Sequence, residues 1–142
     1  MKIRDVMSAP AVSIAPGESV EVAARTLARY NIGALPVCAA NGKLCGVVTD
    51  RDLVTRCVAA NRNPAATPVR DVMTRDVISA DADMELGVAS HLMGRQQVRR
   101  LPVTENGYIK GIISLGDLAR QEDNIMDAAD ALSDISCHIS GR

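Results

Sequence analysis

Apolar residues in this chain switch between two periods in a fixed order. Ala11 to Ile14 forms a short extended run closed by Pro16-Gly17, and Val20, Ala23, Ala24 and Leu27 then recur at helical spacing up to about Tyr30. Ala34 to Cys38 and Leu44 to Thr49 are apolar runs of strand length, and Asn41-Gly42 between them favours a hairpin turn. Leu53, Val54, Cys57 and Val58 return to the helical period as the stripe of a second helix. The order then runs again: strand at Val77 to Ser79, helix about Met84 to Arg95, strands at Leu101 to Thr104 and Tyr108 to Ser114, helix from Leu115. The pattern predicts β-α-β-β-α twice, an α/β (α+β) fold.

The residues repeat as well as the pattern. Arg4-Asp5-Val6-Met7 recurs as Arg70-Asp71-Val72-Met73 and Leu35-Pro36-Val37 as Leu101-Pro102-Val103; Gly46-Val47-Val48-Thr49 through Asp52 recurs as Gly111-Ile112-Ile113-Ser114 through Asp117. Each copy alone is too small to bury both faces of a sheet, so the two are expected to pack about a pseudo-twofold axis. With Pro64 and Pro68 marking a linker over 59–69, the expected division is 1–63, 64–122 and a helical tail over 123–142. In the tail, Ile125, Met126, Ala129, Leu132 and Ile135 form an apolar stripe that packs on its own module or crosses to a partner.

Composition narrows the function. There is no Phe or Trp, leaving Tyr30 and Tyr108 as the only aromatics, so the core is aliphatic and base stacking on aromatic rings is largely excluded. Net charge is −1, which gives no field for nucleic acid or an anionic membrane. No apolar run resembles a signal peptide or a bilayer span, and the expected location is cytoplasmic. Cys38, Cys45, Cys57 and Cys137 lack CxxC spacing and read as reduced packing residues, although Cys38 and Cys45 flank the hairpin turn and a regulatory disulfide there is conceivable. His91 and His138 are the only histidines, so no metal site is expected. Walker, GxGxxG, HExxH and GxSxG motifs are all missing, and the chain reads as a non-enzyme that requires no cofactor.

Candidate chemistry sits where the third strand of each copy meets its last helix. Thr49 with Asp52, and Ser114 with Asp117, have capping-box spacing, in which hydroxyl and carboxylate satisfy free N–H groups at a helix start. The same arrangement suits a nucleotide: the N–H groups and hydroxyl face a phosphate oxygen, and the carboxylate accepts from ribose hydroxyls. Gly46 and Gly111, before these residues, let something approach the backbone closely.

The doubled motif, the Leu-Pro-Val strands and the order of elements resemble a tandem pair of CBS domains, from about Met1 to Gln121. Members of that family commonly bind adenosine-containing ligands (AMP, ADP, ATP, NAD or S-adenosylmethionine) in the cleft between copies. Carried over by motif, the resemblance implies that Asp52 and Asp117 hold ribose hydroxyls, that Thr49 and Ser114 contact phosphate, and that Val47, Ile112, Val12 and Ile78 line the adenine. Arg99 and Arg100 stand where the first copy has Gly33 and Ala34, and they reach ligand phosphates or guard a strand edge; Arg51 reaches a phosphate or points to solvent. The implied function is a non-catalytic sensor that regulates a separate chain. Apolar residues beyond one stripe (Val20, Val22, Leu27 and Ala28; Leu86, Val88, Leu92 and Met93) imply a homodimer built through helices. The alternative is a structural or redox-responsive dimer similar to the hypoxia-induced CBS proteins of mycobacteria, which share the Leu-Pro-aliphatic-Cys strand seen at Leu35 to Cys38.

Overall fold

A computed structural model describes residues 1–121 and 124–140, the last four of these by backbone alone. The start of the tail at Asp123 and the side chains of Cys137 and His138 therefore lie outside the described residues. The chain divides into two compact units, Val12–Val77 and Met1–Ala11 with Ile78–Arg142. Repeat and compact unit are different objects: a division at residue 63 follows the sequence, whereas packing places the first eleven residues with the second copy and residues 64–77 with the first.

In the Val12–Val77 unit, helix α1 (Val20–Tyr30) starts at Ser19, whose Oγ accepts from Val22 N, and stops at Asn31 in the left-handed conformation. It buries Val20, Ala23 and Leu27; Ala24, expected in the stripe, is exposed. Strands β1 (Ala34–Cys38) and β2 (Leu44–Thr49) pair antiparallel. Of the extended run expected over Ala11 to Ile14, only Ile14 pairs, parallel to Val37, and Thr74 pairs on the far side with Val47. Pro36 has no N–H to donate and contributes only its carbonyl there, which accepts from Ile14 N at 3.0 Å. Helix α2 (Asp50–Leu53) continues as a wider π turn over Val54–Val58. Leu53 and Cys57 are buried, whereas Val54 and Val58 are 58% and 63% exposed, so the expected four-residue stripe is half that width. Ile14, Leu27, Leu35, Val37, Val48 and Cys57 join Val69, Val72 and Met73 in one core.

The other unit repeats this plan. The short β3 (Ala80–Asp81) lies parallel to β4 (Arg100–Glu105), which pairs antiparallel with β5 (Tyr108–Ser114), and Ser8 bridges to Ile112. The first strand thus falls after, not at, the expected Val77 to Ser79. Helix α3 (Leu86–Gln96) and the short α4 (Leu115–Ala119) cover the sheet, with Ile3 of the N-terminal segment fully buried among Leu101, Val103 and Ile113. Helix α5 (Ile125–Ser140) packs on α3 and α4. It does so through Ala128, Ala131 and Ile135, while Ile125, Met126 and Leu132 are exposed, which corrects the expected apolar stripe. Gly94 is the reason: a Cβ there would stand 3.1 Å from the Ala131 Cα, so the helices touch at their small residues. The architecture is mixed α+β with the β-α-β-β-α order kept in both copies.

Candidate functional site

Both capping boxes form. Asp52 N donates to Thr49 Oγ1 at 3.1 Å while Thr49 N donates to Asp52 Oδ2 at 2.9 Å; Asp117 N donates to Ser114 Oγ at 3.0 Å and Ser114 N to Asp117 Oδ2 at 2.9 Å. One oxygen of each carboxylate is therefore committed to the helix start. The other, Oδ1, faces an arginine: Arg56 Nε at 3.7 Å from Asp52, and Arg120 hydrogen-bonded to Asp117. The carboxylate side chains are only 12% and 13% exposed. Arg120 is 70% exposed, whereas Arg56 is half exposed and anchored through Nη1 to Val72 O and Met73 O, leaving its Nε 3.7 Å from Asp52 Oδ1, beyond hydrogen-bond distance. Asp52 Oδ1 therefore carries no hydrogen bond from Arg56, and Asp117 Oδ1 is bonded only to the exposed Arg120, so both oxygens can accept a hydroxyl without breaking the cap.

Strand geometry sets what lies beside each box. Side chains two apart share a face, so Val47 sits with Thr49 and Ile112 with Ser114, all half-buried, while Val48 and Ile113 turn into the core. Val12 packs at the edge of its core and Ile78 is 40% exposed. The close approach expected at the two motif glycines is made by the chain itself. A Cβ on Gly46 would lie 2.6 Å from Thr74 O, and one on Gly111 2.5 Å from Ser8 O. These glycines seat the exchanged segments against β2 and β5 and leave no opening for a ligand.

The helix starts differ in charge. Asp50 N donates to Gly33 O at 3.0 Å and Leu115 N to Arg99 O at 2.8 Å, equivalent bonds that hold positions 33 and 99 beside their helices. In the first copy the Asp50 carboxylate covers Gly33 at 3.6 Å from its would-be Cβ, and Arg51 is exposed beside it. In the second, Arg99 and Arg100 line an open groove with Ser114. Its opposite wall is apolar, built from Leu115 and Ala119 with Ile125 and Leu132 of α5. The groove therefore has a cationic end and an aliphatic side.

The CBS-domain family model matches residues 3–59 and 69–124. The chain belongs to the CBS-domain family, as a tandem pair. Among curated proteins, this CBS pair is 37% identical over 134 residues to the CBS domain-containing protein YhcV of Bacillus subtilis, covering 94% of each chain. It is 32% identical over 117 residues to hypoxic response protein 1 of Mycobacterium tuberculosis, covering 82% of each. Three solved structures are similar. Hypoxic Response Protein I with two coordinated zinc ions matches at TM-score 0.79 and 30% identity, over 85% of this chain and 98% of that one. The CBS pair of MJ0100 in complex with 5-methylthioadenosine and S-adenosylmethionine matches at 0.73 and 27%, over 84% and 94%. CBSX2 in complex with AMP matches at 0.74 and 27%, over 88% and 98%.

Reading the sequence missed the two arginines on the carboxylates of this CBS pair. Their signal was present, since Arg56 and Arg120 stand four and three residues beyond Asp52 and Asp117, the spacing of helical ion pairs. It also missed the wall that α5 adds beside Ser114. Cys38, Cys45 and Cys57 are free thiols, and burial, reinforced by Cys45, raises the Cys38 thiol above its ordinary value. Among the described residues no group of three His, Cys, Asp or Glu side chains gathers as a metal site, and no described helix is long and apolar enough to cross a membrane.

Proposed function

We propose that this CBS pair is a non-catalytic sensor that binds an adenosine-containing ligand (AMP, ADP, ATP, NAD or S-adenosylmethionine) at its two motifs. The observation that carries this reading is the divided use of each aspartate. Oδ2 holds the helix start, while Oδ1 of Asp52 stands 3.7 Å from Arg56 without a hydrogen bond and Oδ1 of Asp117 meets only the exposed Arg120, so Asp52 and Asp117 can accept ribose hydroxyls without loss of the cap. Thr49 and Ser114 contact phosphate, and Val47 and Ile112, on the same strand faces, meet the base together with Val12 and Ile78. Arg99 and Arg100 bias the second motif towards more highly charged phosphates, while Gly33 under Asp50 leaves the first less cationic. The AMP and S-adenosylmethionine complexes of similar CBS pairs support the ligand class. Val20, Leu27, Leu86 and Met93, expected on a dimer face, are buried in their own cores, which leaves Val22 and Val88 with the exposed Val54 and Val58 to suit a helix-mediated homodimer; occupancy is read by a separate protein through a change in shape or assembly.

A thermal-shift panel of AMP, ADP, ATP, NAD and S-adenosylmethionine tests this. A true ligand at 100 times its dissociation constant stabilises the fold by about 2.7 kcal/mol. Absence of any shift leaves the second reading, a structural or redox-responsive dimer, which the resemblance to hypoxic response protein 1 favours. In that case reductant, and not nucleotide, moves the melting temperature.

A further inference from the structure

The two copies treat one repeated arginine in opposite ways. Arg4 and Arg70 are equivalent: Arg4 N donates to Ala82 O and Arg70 N to Pro16 O, both at 3.0 Å. In its unit Arg4 is neutralised twice, by Asp83 at 2.8 Å and Glu105 at 3.4 Å. At the positions matching Asp83 and Glu105, the Val12–Val77 unit has Gly17 and Ala39. A Cβ on Gly17 would lie 3.6 Å from the Arg70 guanidinium, so the arginine points where its missing partner would stand. Among the described residues, no carboxylate forms an ion pair with it.

Arg70 is not alone. It lines an open groove of about 570 Å³ with Arg56, Arg62 and Arg75, facing only Asp71 and Asp76. Four guanidiniums against two carboxylates give this groove an excess of positive charge on a chain whose net charge is −1. Three of the arginines are held in place. Arg56 donates to Val72 O at 3.1 Å and Met73 O at 3.2 Å, Arg62 to Asp71 Oδ2 at 2.8 Å, and Arg75 to Arg70 O at 3.4 Å. Each keeps further N–H donors in a planar fork that matches phosphoryl oxygens. The equivalents of Arg56 and Arg75 are Gln121 and Ala9, so the other unit cannot build this cluster. Neither tyrosine lines the groove, which removes stacking of a base as the source of affinity and leaves the charge itself.

We propose that the Val12–Val77 unit carries an oligophosphate site formed by Arg56, Arg62, Arg70 and Arg75, opened by the replacement of an aspartate with Gly17. The site needs no ligand contact from Thr49 or Asp52, although it shares Arg56, whose Nε stands 3.7 Å from Asp52 Oδ1. Its ligand is a chain of two or more phosphates, either free or the phosphate end of a nucleotide.

The test is calorimetric titration with sodium tripolyphosphate at matched ionic strength. Gly17→Asp supplies the neutralising carboxylate of the other copy and is accommodated at a contact of 3.6 Å; Arg70→Gln removes the charge directly. Both variants are expected to weaken tripolyphosphate binding at least tenfold, while Arg25→Gln, an exposed arginine of α1, leaves it unchanged. If Gly17→Asp and Arg70→Gln also weaken ATP but not AMP, the groove takes a nucleotide's phosphate chain; if they weaken tripolyphosphate alone, it takes the free anion. No tripolyphosphate binding, binding indifferent to Gly17→Asp and Arg70→Gln, or equal loss in Arg25→Gln overturns the proposal. Failure of every adenosine ligand in the thermal panel leaves this titration intact, so the two readings fail separately.

Discussion

Substituting alanine for Gly111 tests whether the N-terminal segment is bound to the second copy as described. The new Cβ would meet Ser8 O at 2.5 Å and Met7 Sδ at 2.9 Å. The thioether can move, but the carbonyl belongs to backbone fixed by Ser8 N to Ile112 O at 2.9 Å and Ile112 N to Ser8 O at 3.0 Å. The protein either keeps the bridge under strain, at about 1–3 kcal/mol, or separates the segment and loses two hydrogen bonds of about 1 kcal/mol each. Lower unfolded-state entropy returns about 0.5–1 kcal/mol. Relative to a glycine-to-alanine change that has this gain alone, the loss is about 1–2 kcal/mol, a difference in melting temperature of roughly 3–8 °C for a chain of this size. Gly17→Ala is the control, because its Cβ meets only the end of the Arg70 side chain at 3.6 Å and the entropic gain is unopposed. Urea denaturation of both variants decides the matter. Gly111→Ala as stable as Gly17→Ala would show that Met7 and Ser8 do not lie on β5.

Two pH effects follow from the perturbed groups. Hydrogen bonding from Arg4, with its charge and that of Lys2 adding, holds the Asp83 carboxyl below the usual range, so its contribution is present above about pH 4 and lost as pH falls through the lower folded value. Acid unfolding of Asp83→Asn should show a shallower decline there, and added salt should shrink the difference. The Cys38 thiol is shifted the other way, so stability is full below about pH 8.5 and falls as pH rises through the raised folded value. Cys38→Ala should flatten that alkaline limb, and in the native protein a thiol reagent should label half-buried Cys45 before Cys38; labelling of Cys38 first would contradict its burial.

The fold was legible wherever a local rule decided it. Turn residues, the two capping boxes and the helical spacing of Val20, Ala23 and Leu27 each need only neighbours in sequence. The exchange of segments was not legible, because Arg4-Asp5-Val6-Met7 and Arg70-Asp71-Val72-Met73 are identical and periodicity does not say which sheet each joins. The buried face of α5 was misread for a related reason. Leu132 and Met126 are the more apolar residues, but Gly87 and Gly94 on α3 admit only a closely packed helix, and Ala128 and Ala131 fit that distance. At the candidate site the doubled Thr/Ser and Asp were visible in the motif. The arginines on Oδ1 were legible from their helical spacing and were overlooked, whereas the closures over Gly46 and Gly111 and the arginine groove depend on contacts that only the folded chain supplies.

The central claim is that the doubled motif holds a ligand as well as two helix starts. Titration calorimetry of the wild type, Asp52→Ala and Asp117→Ala with AMP and ATP tests it most directly. Each substitution costs about 1 kcal/mol of stability through the lost cap and leaves the protein folded. A hydrogen bond to a charged group contributes about 1.5–3 kcal/mol, so each variant should lose at least tenfold in affinity at its own motif and keep the other. Nucleotide affinity unchanged in both variants, or no binding to the wild type, would show that Thr49-Asp52 and Ser114-Asp117 are helix caps and nothing more.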